Sequence, residues 1–181
     1  MSQAAASSLR SYRAPAALRD GTPIVIRAIR PEDKWILQVG IRRLSEAALY
    51  HRFFGAKKAL SDEELRYLTE LDFERHVGLL AVREEGDQEL PLGVGRFIRT
   101  DHGTPPFRAE VAFTVADRWQ GHGVATALLD HLAAIGRRLG IAQFEADVLA
   151  DNTQMLEVFE HSGLPMATSV ANGVVHVVLS L

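Results

Sequence analysis

Cysteine is absent from the chain, so disulfide bridges, thiol nucleophiles and thiolate metal ligands are excluded. An excess of basic charge is missing too: 20 Lys and Arg stand against 23 Asp and Glu, a formal net charge of -3 with a pI near 6.2. That balance supplies no positive field for a phosphate backbone, and no nucleic-acid partner is expected. No apolar run is long enough to cross a bilayer, and Met1 to Pro15 lacks the unbroken apolar centre of a signal peptide. The expected location is therefore the cytoplasm, with no membrane partner. The seven histidines are scattered, without the i, i+4 pair and further ligand of a zinc helix, so no metal is expected. What remains is a 181-residue chain of 47% hydrophobic content, enough for one domain with a full core. Residues 1–20, rich in Ala and Ser at the start, are expected to be a flexible arm ahead of a single domain over 21–181.

β-Branched alternation over Pro23 to Ile29 predicts a strand, and Arg30-Pro31-Glu32-Asp33 stops it and opens a helix with proline in the first turn. Helical patterns follow over Lys34 to Leu44 and Ser45 to Phe54, and Ser61-Asp62-Glu63-Glu64 reads as a capping box opening a third helix. Val77 to Arg83, Leu92 to Arg99 and Ala109 to Val115 are short strands joined by polar turns, an antiparallel meander. A glycine-containing loop, Asp117 to Gly123, then enters a helix with Leu128, Leu132, Ile135 and Leu139 on one stripe. Phe144 to Leu149 is another strand, and Asp151 or Asn152 caps a helix running to His161. Pro165 to Ala171 and Val174 to Leu179 flank Asn172-Gly173, the commonest signal for a tight hairpin. The β, α, β, α order around the glycine loop implies parallel neighbours in an otherwise antiparallel sheet. The class is α+β (mixed α/β), with about six or seven strands.

The run from Val115 to Leu129 passes from a strand through small residues into a helix start. Free N–H groups and the positive end of the helix dipole make such a place a site for phosphate oxygens, although a tight strand-to-helix turn needs the same glycines. It is not a P-loop, because Gly123 is followed by Val124-Ala125 rather than Lys-Ser/Thr, and a meander precedes it where a dinucleotide fingerprint needs the first strand of a βαβ unit. Gln120-Gly121-His122-Gly123-Val124-Ala125 resembles the Gln/Arg-x-x-Gly-x-Gly/Ala signature of the GNAT (Gcn5-related N-acetyltransferase) superfamily, and the order of elements from Ile24 to Leu181 is similar as well.

The resemblance implies a mostly antiparallel sheet with a splayed parallel pair, helices on both faces, and acetyl-CoA as cosubstrate. It implies that the amides of Gln120, Gly121, His122, Gly123, Val124, Ala125 and Thr126 hold the coenzyme pyrophosphate. The edge of Val111 to Val115, with Phe113, Thr114 and Val115, would pair with the pantetheine arm and supply the oxyanion donor. Asn152 matches a residue that contacts the coenzyme arm, beside its local reading as an N-cap. Phe159 stands where many members carry a Tyr that protonates the departing thiolate. Glu110 lies where many carry their general base; a free lysine has a pKa of about 10.4, so its amine must lose a proton before it attacks a thioester. The plain alternative for Glu110 is a solvated strand-end carboxylate.

Arg52-Phe53-Phe54-Gly55, Leu60 to Leu65, Leu68 to His76, Ser162-Gly163-Leu164-Pro165 and Asn172 to His176 further resemble the acetyltransferase domain of bacterial protein lysine acetyltransferases. That implies N-acetyl transfer to a protein lysine, such as one on an AMP-forming acyl-CoA synthetase. Asp62, Glu63, Glu64, Glu70, Asp72 and Glu74 form either a patch for a basic acceptor surface or an ordinary solvated face. A small-molecule amine acceptor and a non-catalytic acyl-CoA-binding sensor are the alternatives, and a homodimer stays open.

Overall fold

The alternating segments of the sequence become the strands of one eight-stranded sheet in the computed structural model, which describes residues 8–53, 55, 59–100 and 106–181. The strands are β1 (Arg13–Ala17), β2 (Pro23–Ala28), β3 (His76–Glu85), β4 (Gln88–Arg99), β5 (Phe107–Val115), β6 (Ile141–Leu149), β7 (Met166–Ala171) and β8 (Val174–Ser180). Their order is β1-β2-β3-β4-β5-β6-β8-β7, and only β5 and β6 are parallel. The expected start of the arm (residues 1–7), the end of the second predicted helix at Phe54, and residues 101–105 of the turn before β5 lie outside the described residues.

One expectation fails. Residues 8–20 are not a loose arm: Arg13–Ala17 pairs with β2 along its length, and Leu9 and Leu18 are buried in the main core. The strand escapes sequence reading because Pro15 and three alanines carry little β signal, and an edge strand tolerates the N–H that proline lacks. It is the eighth strand, beyond the about six or seven expected. The predicted hairpin is present, with Asn172 at φ 51 and Gly173 at φ 77, the paired positive values of a type I′ turn.

Two helical layers cover the sheet. On one face lies α4 (Val124–Arg138), whose buried Leu128, Leu129, Leu132 and Ile135 sit on the strands. Gly93 lets it approach, since a Cβ there would lie 3.0 Å from the Val124 side chain. The other face carries α1 (Lys34–Arg43), α2 (Glu46–Phe53) and α3 (Asp62–Thr69). Neighbouring strand residues point to opposite faces, and Gly95 meets Leu132 of α4 while Arg96 donates to the carbonyl of Leu68 in α3. Ile41, Leu60 and Leu65 give these three helices a small core of their own. The capping box is formed: the Ser61 hydroxyl accepts from the Glu64 amide at 3.1 Å, and the Glu64 carboxylate accepts from Ser61 N–H at 2.8 Å. α5 (Thr153–Glu160) is capped by Asn152, whose side chain accepts from Met155 N–H.

Among the described residues, the fully buried charged side chains fall into two networks. Arg27 donates to both Asp33 oxygens at 2.8 Å and to Glu89 at 2.8 Å, fixing the chain where β2 turns toward α1. In the second, Asp72 accepts from the amides of Glu74, Arg75 and His76, each at 2.9 Å, holding a turn in which buried Phe73 takes φ 60. His76 then meets an Arg96 guanidinium nitrogen at 3.2 Å; since Arg only donates, Nε2 of His76 accepts and its ring is neutral. Burial first, and the Arg96 charge second, push the His76 pKa down to about 4.

Two outcomes follow from these networks. Asp33→Ala leaves Arg27 buried without its bidentate partner and should lower unfolding free energy by about 3–5 kcal/mol, read from urea melts. Unfolded His76 takes up its proton near pH 6.5 and the folded ring only near 4, so the unfolded chain binds more protons in between. The stability of the neutral form is therefore complete above that interval and lost as pH falls through it. Urea midpoints should decline across the interval in the native protein and decline less in His76→Gln.

Candidate active site

The parallel pairing of β5 with β6 runs from Phe107↔Ile141 to Glu110↔Glu145 and stops there. Beyond it β5 stays bonded to β4 through Val115, and β6 to β8 through Leu149, so the two strands part. Ala116 N–H donates to the Leu92 carbonyl and Thr100 N–H to the Arg108 carbonyl. Even-numbered residues of β5 therefore turn their peptide groups to β4, and Val111, Phe113 and Val115 turn theirs toward the parting β6. A cleft of about 970 Å³ occupies the opening.

At the far end of β5 the chain enters the glycine loop. Gly121 at φ 78 and Gly123 at φ 93 make the turn, and Val124 begins α4. Ala127 is bonded back to Gly123, so the amides of Val124, Ala125 and Thr126 precede the helical ladder and are left for a ligand at the positive end of the dipole. These three line the cleft with Gln120, Gly121 and Gly123. Gln120 also works within the loop, donating to the Val115 carbonyl at 3.3 Å and to Asp117 at 3.1 Å.

Of the residues singled out from sequence, Glu110, Phe113, Thr114, Val115, Asn152 and Phe159 also line the cleft. His122 does not. It is exposed, its ring lies 5.7 Å from that of Trp119, and its carbonyl accepts from Arg19 N–H. The left-handed glycines on either side turn the loop there and carry its side chain away from the opening. Phe159 is buried with its ring 6.2 Å from that of Phe113, a wall residue with no proton to give. Tyr50 on α2 and Tyr67 on α3, whose hydroxyls could otherwise give that proton, are exposed and absent from the lining.

Glu110 sits at the vertex, the last β5 residue paired with β6. Its carboxylate makes no hydrogen bond or ion pair among the described residues. Arg52 on α2 faces it across the cleft; burial lowers the Arg52 pKa and the Glu110 charge partly restores it. Behind them Arg96, buried in the sheet, is pushed down to about 9, by burial first and by Arg52 second. Both guanidiniums remain charged at neutral pH.

Sequence reasoning missed how α2 is hung. Ser45, just before it, gives its N–H to Asp117 of the glycine loop at 2.8 Å, and His51 at its far end meets Asp151 at 3.2 Å. The helix thus spans the cleft from one lip to the other. No local pattern marks contacts between segments so far apart in sequence. The acidic run looks different in three dimensions: Glu64 serves the cap, Glu70 pairs with Lys34, and Asp72 holds its turn, leaving Asp62, Glu63 and Glu74 as the solvated remainder.

The sequence profile of the acetyltransferase (GNAT) family matches residues 43–164. Acetyltransferase Pat of Mycolicibacterium smegmatis is 32% identical over 149 residues, 82% of this chain and 43% of that protein, so the chain spans under half of that relative's length. Acetyltransferase PA5475 of Pseudomonas aeruginosa is 31% identical over 142 residues, 78% of this chain and 74% of that one. Among solved structures, the GNAT domain of S. lividans PAT superposes with a TM-score of 0.82 at 37% identity, covering 93% of this chain and 97% of that domain. With the splayed pair, the glycine loop and these matches together, the chain belongs to the acetyltransferase (GNAT) family and is an acyl-CoA-dependent acetyltransferase.

Proposed function

We propose that this acetyltransferase modifies the side-chain amine of a protein lysine, with an AMP-forming acyl-CoA synthetase as the leading acceptor, and that Glu110 is its general base. The observation that carries the base assignment is position: an unpaired carboxylate at the vertex, on the strand whose free edge runs down the cleft. The acceptor is drawn from the relatives named Pat and PAT, whose identities of 32% and 37% lie over most of this chain. The shared cytoplasmic setting of acetyl-CoA and such synthetases makes the cytoplasm the proposed location.

The residues present fit the coenzyme. Gly121, with open space where a Cβ would lie, leaves room for phosphate oxygens near the amides of the helix start, and Asn152 lines the same cleft from the start of α5. Peptide groups of Val111, Phe113 and Val115 suit an extended amide-containing arm laid along the strand, as an added strand pairs with a sheet edge. When bound, acetyl-CoA supplies a thioester carbonyl open to a neutral amine and a thiolate that leaves.

The remaining work falls to protein groups. Glu110 accepts the proton of the ammonium, directly or through one water, at neutral pH. Backbone N–H groups between Phe113 and Val115 stabilise negative charge developing on the carbonyl oxygen. Since Phe159 offers no hydroxyl, the proton taken from the amine or one from water meets the departing sulfur. A small-molecule amine is the second reading, favoured by α2, whose two tethers narrow the way in.

Glu110→Gln should leave acetyl-CoA affinity unchanged and slow transfer by roughly 10²–10⁴ at neutral pH, followed by thiol release. Peptide mass spectrometry of an acyl-CoA synthetase incubated with acetyl-CoA should find acetylation at one active-site lysine with the native protein and little with the variant. Unmodified synthetase alongside turnover of a small amine would transfer the assignment to the second reading.

A further inference from the structure

The turn between β1 and β2 touches the glycine loop, which no reading of either segment alone would predict. Leu18 N–H donates to the Thr22 carbonyl and Gly21 N–H to Leu18, while the Asp20 carboxylate accepts from Thr22 N–H at 2.9 Å. The turn is therefore internally bonded and its one acid is engaged. From its tip, Arg19 N–H donates to the His122 carbonyl at 3.1 Å. The Arg19 side chain then lies over Gly123, its Cγ 3.0 Å from where a Cβ on that glycine would be.

This places a guanidinium at the mouth of the cradle. Arg19 lines the main cleft with Gly121, Gly123 and Thr126, and also the adjoining hollow of about 290 Å³ with Thr126 and Asp130. Among the described residues the guanidinium has no ion pair and no hydrogen bond, whereas Arg13 and Arg27 on the flanking strands are both paired with acids. An exposed cation without a partner, fixed by its backbone beside free amides at a helix start, is complementary to an anion held by those amides.

We propose that Arg19 is a ligand for the coenzyme phosphates, carried to the glycine loop by the β1–β2 turn. This rests on the reading of Gln120 to Thr126 as the cradle. The shared chemistry is a phosphate oxyanion, and the coenzyme offers two, the pyrophosphate and the 3′-phosphate.

Calorimetric titration of acetyl-CoA and of 3′-dephospho-acetyl-CoA into the native protein, Arg19→Gln and Arg19→Lys tests it. Glutamine keeps the backbone bond to His122 and the stem over Gly123, so a loss reports the charge. Arg19→Gln should weaken acetyl-CoA binding about tenfold at low salt and less at high salt, with Arg19→Lys closer to native. A loss shared by both ligands assigns the pyrophosphate, and one confined to acetyl-CoA assigns the 3′-phosphate. Native affinity of Arg19→Gln for both ligands overturns the proposal. Gly123→Asp separates the two readings: tight binding by that variant removes the cradle assignment, while the Arg19→Gln titration still decides Arg19.

Discussion

The divergence of two parallel strands governs the rest of this molecule. β5 and β6 are each committed by a long antiparallel ladder to another neighbour, and sheet twist carries those ladders apart. After Glu110 and Glu145 no register satisfies both, so pairing ends inside the sheet rather than at its rim. The unsatisfied peptide groups of β5 would be costly if buried dry, and the opening leaves them accessible. From this one break come the strand edge, the wall residues Phe113 and Phe159, the vertex position of Glu110 and the entry of the chain into the glycine loop.

The face bearing Glu110 is assembled differently from the face bearing α4. α4 rests on an apolar stripe pressed into the sheet, with glycines at the points of contact. The opposite layer joins the main core through Ile36, Leu71 and Phe73 and also encloses Arg96, a neutral His76 and part of Arg52, with Arg96 bonded to the Leu68 carbonyl. Buried cations with few partners are expensive in stability. Here they lie under and beside Glu110, on the face that carries α1, α2 and α3.

Much of this was legible in the sequence because it is local. Alternation marks β3 to β6, Asn172-Gly173 marks the last hairpin, Ser61 with Glu64 marks a cap, and small residues before an apolar stripe mark the glycine loop and the start of α4. What was hidden is long-range or chemically faint. β1 is alanine and proline at a sheet edge, so composition reads it as an arm. The bonds from Ser45 to Asp117 and from Arg19 to His122 join segments about a third of the chain or more apart, and nothing local announces them. His122 carries the family spacing yet points away, because spacing fixes the backbone of a loop and leaves open which side chains turn inward.

No side chain of α2 is fully buried, although the helix forms one wall of the cleft. Leu49 and Phe53 pack against the small core of the three helices and the two ends are tethered, while large stability losses from substitution arise chiefly at fully packed or buried-polar positions. Most of its residues can therefore be exchanged at little cost to the fold. The shape and charge of that wall can therefore vary while the sheet, the glycine loop and α4 stay fixed, so one side of the cleft is open to change through a single short element.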